Sequence, residues 1–242
     1  MDLVYPVCVV LLGYVVLGIT GFGSALVIVP LLAWHWPLPE VVALTLLMDV
    51  PASLLHGGLN LRQVSFAELR RLLPGIAVGA LAGLWLSSVL AATWPLLVLG
   101  LYVVMVGAQT LRVAPAKRPQ LATPWAYAMG GAIGVVEMLF GTAGPLVVAG
   151  FSRRLSDVNV VRASTPVAIA ASACAVLATM GWSGRLSHID LWQRWLALIG
   201  VAVLGVMLGN RMAHSVPPLA LRKVICGLLI VSGLTLVAHA LN

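Results

Sequence analysis

The uncharged run from Leu3 to Pro39, with its cluster of glycines, constrains the fold of this chain most. It holds no Asp, Glu, Lys or Arg over 37 residues, and Gly18, Gly21 and Gly23 fall within six positions, with Pro30 following. A continuous helix of that length would be roughly 55 Å long, against an apolar bilayer core of about 30 Å. It is too long for one straight span and barely long enough for two with a turn. Glycines followed by a proline mark where a helix breaks, and broken backbone at membrane depth is tolerated only where protein buries it or it lines a cavity. The stretch Gly18 to Pro30 is therefore the first candidate for a binding site.

The rest of the chain is of the same kind. Of 242 residues, 61% are hydrophobic and 9% charged, where a soluble domain carries about a quarter charged residues. Charge-free runs recur at Leu72 to Leu111 and Ala163 to Gly184, continuous rather than alternating as a β-barrel requires. The fold class is all-α, a polytopic membrane protein. The net charge of +7 comes from short basic clusters between apolar runs, the usual pattern of membrane loops, and gives no nucleic-acid footprint. Cys8, Cys174 and Cys226 lie in apolar segments without CxxC spacing and read as small core residues. No His/Cys cluster has metal spacing and no Walker sequence appears, so neither cofactor nor metal is expected. Asp2 precedes an apolar run with no basic n-region, and the first segment is expected to stay as a membrane helix.

In chain order, Leu3 to Trp34 is followed by a turn at His35 to Glu40, then a span from Val41 to Leu61 with Asp49 and Pro51 near its middle. Leu72 to Leu111 suffices for two spans, divided at Ala91 to Pro95. The second half repeats this order: a glycine-rich Trp125 to Phe151, then Ala163 to Met180, Trp195 to Asn210 and Val224 to Asn242. Trp182, Trp192 and Trp195 read as interface anchors, as do Trp34 and Trp36. The expected architecture is about eight transmembrane segments in two homologous four-segment halves, 1–112 and 125–242, joined by a basic, proline-bearing linker at 113–124. Each half begins with a long glycine-broken or re-entrant helix. Phe22-Gly23-Ser24-Ala25 faces Phe140-Gly141-Thr142-Ala143, Ala43-Leu44-Thr45 faces Ala163-Ser164-Thr165, and Gly79-x-x-x-Gly83 faces Gly205-x-x-x-Gly209. Interrupted segments at matching places in two halves point to a secondary transporter. The halves are parallel if each has four simple spans and inverted if each long segment makes the half odd; the distribution of Arg and Lys favours the inverted scheme.

The glycine-rich segments resemble those of the sulfite exporter TauE/SafE family, also called toluene sulfonate uptake permeases. The residues carrying the resemblance are Gly18, Gly21, Gly23 and Pro30 with Ala43 to Thr45, and Gly134, Gly141, Gly144 and Pro145 with Ala163 to Thr165. It implies a multi-pass carrier of the bacterial inner membrane, moving sulfite, sulfonates or other organosulfur anions. Ser24 and Ala25 after Gly23, and Glu137-Met138-Leu139 before Phe140, depart from the richer glycine run of such proteins.

An anion in a low-dielectric site needs donors, and backbone N–H groups at the positive end of a broken helix supply them, with glycine permitting close approach. The candidate substrate-binding residues are Gly21, Phe22, Gly23, Ser24, Thr45, Gly141, Thr142, Gly144, Ser164, Thr165 and Arg162. The carboxylates Glu137 and Asp49 sit well inside apolar runs, where an ionised group costs several kcal/mol and is usually functional or paired. Glu137, four residues before Gly141, leads for proton coupling, with Asp49 second and His56 as a relay at i+7. Gly79, Gly83, Gly205 and Gly209 read as helix-packing residues. The expected partners are a small anion, protons and the lipid bilayer, with a homodimer left open. An intramembrane enzyme and a channel or non-transporting membrane partner are the rival readings.

Overall fold

The computed structural model describes residues 4–57, 63–90, 93–111, 122, 124–155, 157–213, 226–227, 230–234 and 236–238. Most of the 113–124 linker, Arg62, Arg112, Lys117, Arg118, Arg222, Lys223 and much of the last apolar segment lie outside them. All regular structure among the described residues is helical. The helices are α1 (Val4–Thr20), α2 (Ser24–Leu32), α3 (Leu38–Gly57), α4 (Phe66–Val89), α5 (Thr93–Leu111), α6 (Pro124–Phe140), α7 (Gly144–Arg154), α8 (Val158–Trp182) and α9 (Ile189–Met212). The described residues of 226–238 are also helical. α4, α8, α9 and the Leu38–His56 part of α3 are long and apolar enough to cross a bilayer. The chain is a polytopic helical membrane protein.

Both long first segments break where glycine predicts, and both fold back. Gly13 of α1 has no room for a side chain, because a β-carbon there would stand 2.7 Å from Ile28 Cδ1 and 3.1 Å from the Ser24 carbonyl. Fifteen residues along one straight helix would separate Gly13 from Ile28 by about 22 Å. α2 therefore runs back beside α1, and the Tyr5 hydroxyl donates to the Leu31 carbonyl at 2.8 Å. α7 returns along α6 in the same way, with Gly150 packed on the Met129 side chain.

Each hairpin helix is clasped by a helix from the other half of the sequence. α1 lies on α9 and α6 on α4, the two densest pairings among the described helices α1 to α9, with α3 against α8 between them. Glycine makes both seams. Gly75, Gly79, Gly130 and Gly134 bring the α4 and α6 backbones into direct contact, and Gly18, Gly205 and Gly209 do so for α1 and α9. Without a hydrophobic drive between helices in lipid, such close approach supplies the van der Waals contact that holds them.

The ends of the helices sort onto two faces. On the face where α1 begins, Arg194 of α9 pairs with Glu40 of α3 at 2.8 Å and stacks 4.4 Å from the Trp36 ring centroid. On the opposite face, Glu68 of α4 is buried and pairs with Arg154 of α7 and Arg71. There too the Ser65 N–H donates to Ser164 Oγ at 2.9 Å.

Three expectations are corrected. Cys8 and Cys174 are exposed on the outside of the bundle, not core residues; Cys226 is buried. Trp195 is not an interface anchor: its indole N–H donates inward to the Leu47 carbonyl at 3.2 Å. Pro51 explains why. A proline at 51 has no N–H for the carbonyl four residues earlier, so α3 continues unbroken through Pro51 with Trp195 satisfying Leu47.

Candidate functional site

The two breaks meet at mid-bundle. In the first, Gly21 and Gly23 adopt φ of 82° and 95°, a region that favours glycine. The Gly21 N–H still bonds the Leu17 carbonyl at 2.7 Å, and the Phe22 N–H donates to Thr20 Oγ1 at 3.3 Å. In the second, Gly141 has φ 64° and its N–H bonds the Glu137 carbonyl at 2.8 Å. The matching geometry pairs Gly21 with Gly141 and Leu17 with Glu137. The sequence alignment of Gly23 with Gly141 is thus two residues out of register, while Thr45 and Thr165 keep the offset of the two breaks. Phe22 packs on Gly144, where a β-carbon would stand 3.3 Å from Phe22 Cβ, so one break rests against the other.

Between the breaks is a cavity of about 10 Å³, room for about one water. Gly23, Ser24, Asp49, Glu137, Gly141, Thr142 and Gly144 line it with Leu17 and Ile169. α2 starts at Ser24 and α7 at Gly144; their N-cap residues, Gly23 and Ala143, supply no side-chain cap, and at α7 the Glu137 carboxylate takes the Ala143 N–H instead. Two positive helix ends therefore face one small space.

The carboxylates are held from opposite halves. Asp49 is 2% exposed and its Oδ1 accepts from the Tyr14 and Ser24 hydroxyls, each at 2.8 Å. Glu137 is 1% exposed, accepting from the Ala143 N–H at 2.8 Å through Oε2 and from Ser172 Oγ at 3.2 Å through Oε1. No Lys, Arg or His lines the cavity among the described residues. The Thr142 hydroxyl is buried there without a partner, while the Thr142 carbonyl accepts from the Tyr102 hydroxyl at 3.1 Å. A buried unpaired hydroxyl is costly, and this one belongs to a residue of the cavity wall.

The remaining sequence candidates stand apart from this space. Thr45 and Thr165 each donate to the carbonyl four residues earlier, Val41 and Val161, at 2.8 Å. Ser164 receives the Ser65 N–H at the Glu68 face, and Arg162 is exposed there. His56 lies beside Gly21, outside the cavity lining. Sequence reasoning missed Tyr14, Ser172 and Tyr102, whose hydroxyls hold the two carboxylates and the second break. A tyrosine seven residues before Gly21 and a serine within Ala170 to Ala173 were the available signals. No His/Cys/Asp/Glu group able to hold a metal occurs among the described residues.

Comparison with known proteins agrees with this membrane architecture. Over 196 residues the chain is 45% identical to the "Probable inner membrane transporter protein TsaS" of Comamonas testosteroni, covering 81% of this chain and 82% of that protein. It is 28% identical over 240 residues to the "Probable sulfite/organosulfonate exporter TauE" of Cupriavidus necator, covering 96% of this chain and 87% of that protein. No solved structure matches it. Residues 6–236 match the family described as "Sulfite exporter TauE/SafE". With a match over nearly its whole length, the chain belongs to the sulfite exporter TauE/SafE family, whose named members here are transporters and not enzymes.

Proposed function

We propose that this protein is a secondary active transporter of a small organosulfur anion, such as sulfite or a sulfonate, coupled to protons and seated in the bacterial inner membrane. The observation that carries the reading is the convergence of two half-helix N-termini and two buried carboxylates on one small cavity. The transporter names of the two relatives support it.

The chemistry follows from charge. The helix ends at Ser24 and Gly144 attract an anion, and the Thr142 hydroxyl gives it a donor. Asp49 and Glu137 repel it. At an effective dielectric of about 20 and a separation of about 5 Å, each ionised carboxylate opposes a bound anion by roughly 3 kcal/mol. A proton on the carboxylate removes that cost. On Glu137 it also loosens the bond from Ala143 N–H, freeing a backbone donor at the start of α7 for the guest. Anion and proton thus enter together, and the combined gradients set the direction of net movement.

The cavity in this state is closed to a sulfonate, so loading requires α2 and α7 to part. Alternating access by movement around the paired breaks accomplishes this. We read residues 1–112 and 125–242 as inverted repeats joined by the 113–124 linker, a reading supported by the re-entrant hairpins and the reciprocal pairings of α1 with α9 and α6 with α4. Arg70, Arg71, Arg153, Arg154, Arg162 and Arg211 gather at the Glu68 face, against Arg185 and Arg194 at the other, which favours the Glu68 face as cytoplasmic.

Proteoliposomes test the reading. The wild-type protein is expected to show counterflow of labelled sulfite and uptake driven by a pH gradient. Glu137→Gln is expected to keep counterflow and lose the response to the gradient. Unchanged gradient-driven flux in Glu137→Gln overturns proton coupling there, and absence of trans-stimulation in the wild type overturns the carrier.

A further inference from the structure

A second cavity lies at the Arg194 face, apart from the one between the two breaks. Its volume is about 280 Å³, close to the lower end of small-molecule sites, about 300 Å³. Among the described residues that line it, only Ser87 and Arg185 are polar. Met138 and Leu139 belong to its wall, and the preceding residue, Glu137, lines the central cavity. The two spaces are therefore neighbours across the last turn of α6.

Arg185 is built into this place. The turn after α8 is fixed by Gly184 at φ 76°, and the Arg185 N–H bonds the Met180 carbonyl at 3.0 Å. Its Nη2 donates to Ser87 Oγ of α4 at 2.9 Å. A guanidinium carries five N–H donors, and Ser87 is a neutral partner. Arg194, at the same face, is neutralised by Glu40; no carboxylate pairs with Arg185 among the described residues.

We propose that this vestibule is an outer binding site for small organic anions, in which Arg185 holds the anionic head and the apolar wall formed by Trp36, Leu90, Leu96 and Leu139 holds a compact apolar body. The inference deepens the proposed function and rests on it for the passage of the ligand onward to Glu137. A fork of guanidinium donors matches an oxyanion. The wall around it is of little use to bare sulfite and suits a ring or branched chain. Substrate would load here, beside the central cavity, before α6 and α7 admit it.

Benzenesulfonate and methanesulfonate share a head group and differ in apolar body. Their equilibrium binding to the detergent-purified full chain is to be measured by calorimetry, with counterflow in proteoliposomes alongside. Benzenesulfonate is expected to bind at least tenfold tighter than methanesulfonate. Arg185→Gln should weaken it by about tenfold or more, and Arg185→Lys, which keeps the charge, by less. Thermal melting establishes that each variant is folded, and Leu96→Glu, which places a negative charge in the wall, provides a second test and should also abolish tight binding. Equal affinity for the two sulfonates, or unchanged binding in Arg185→Gln and Leu96→Glu, overturns the site even where counterflow persists. Arg185-dependent binding without counterflow retains the site and overturns the transport reading.

Discussion

Gly79 and Gly200 should respond in opposite senses to the same substitution. Both lie inside transmembrane helices, α4 and α9. A methyl group at 79 would overlap the Gly131 carbonyl oxygen and stand 2.9 Å from its carbon and 3.0 Å from its Cα. All three are backbone atoms of a packed helix, so no side chain can rotate away, and α4 and α6 must separate by roughly an ångström. A gap of 0.5–1 Å forfeits about a quarter to a half of the dispersion energy of each contact along the seam, and overpacking against rigid neighbours typically costs about 1–3 kcal/mol. Gly79→Ala should therefore lower stability by about 2–3 kcal/mol. At Gly200 a methyl group meets nothing within 4 Å, and replacing a mid-helix glycine gains about 0.5–1 kcal/mol in conformational entropy. Reversible unfolding in mixed micelles measures both. Because α6 carries Glu137, Gly79→Ala should also depress sulfite flux while Gly200→Ala leaves it intact. Equal stabilities for Gly79→Ala and the wild type, or greater damage from Gly200→Ala, would refute the account of the seam.

Two further substitutions probe polar groups. Trp195→Phe should cost about 1–2 kcal/mol by stranding the Leu47 carbonyl, and in a Pro51→Ala background, where an N–H returns to that carbonyl, the loss should fall to near the value for packing alone; an unchanged loss would show that the indole bond is immaterial. Thr142→Val should leave stability equal or slightly higher, since the hydroxyl it removes has no partner, yet it should weaken sulfite binding several-fold; a destabilised protein with normal affinity would assign the hydroxyl a structural role instead.

The breaks were legible because glycine and proline leave a direct mark on backbone geometry, and Gly21, Gly23 and Gly141 all adopt the positive φ that their residue type permits. Asp49 and Glu137 stood out because charge is rare in apolar runs. Their partners were not legible. Tyr14 and Ser24 reach Asp49 from two other helices, and nothing in helical periodicity states which helix lies alongside. The same blindness left Gly79 and Gly205 without named neighbours, since Gly-x-x-x-Gly declares that some backbone comes close but not whose. The two-residue slip between the halves has a related cause: Phe-Gly occurs at both breaks, and only the bonds from Gly21 to Leu17 and Gly141 to Glu137 reveal which glycine turns the chain.

The seam between α1 and α9 has a consequence for how the molecule is made. Gly18 meets Val206 and Gly209, so the groove on the first helix stays empty until residues almost 190 positions later have been synthesised. At roughly 5–20 residues per second, that interval is about ten to forty seconds. During it α1 resides in lipid with its glycine face unoccupied, and α4 likewise waits for α6, though more briefly. A nascent chain halted after the first five helices would hold both grooves open, a form suited to capture by insertion factors or to mistaken pairing with another copy. Completion of α9 is thus the event that fills the groove of α1 and removes that open face from the membrane.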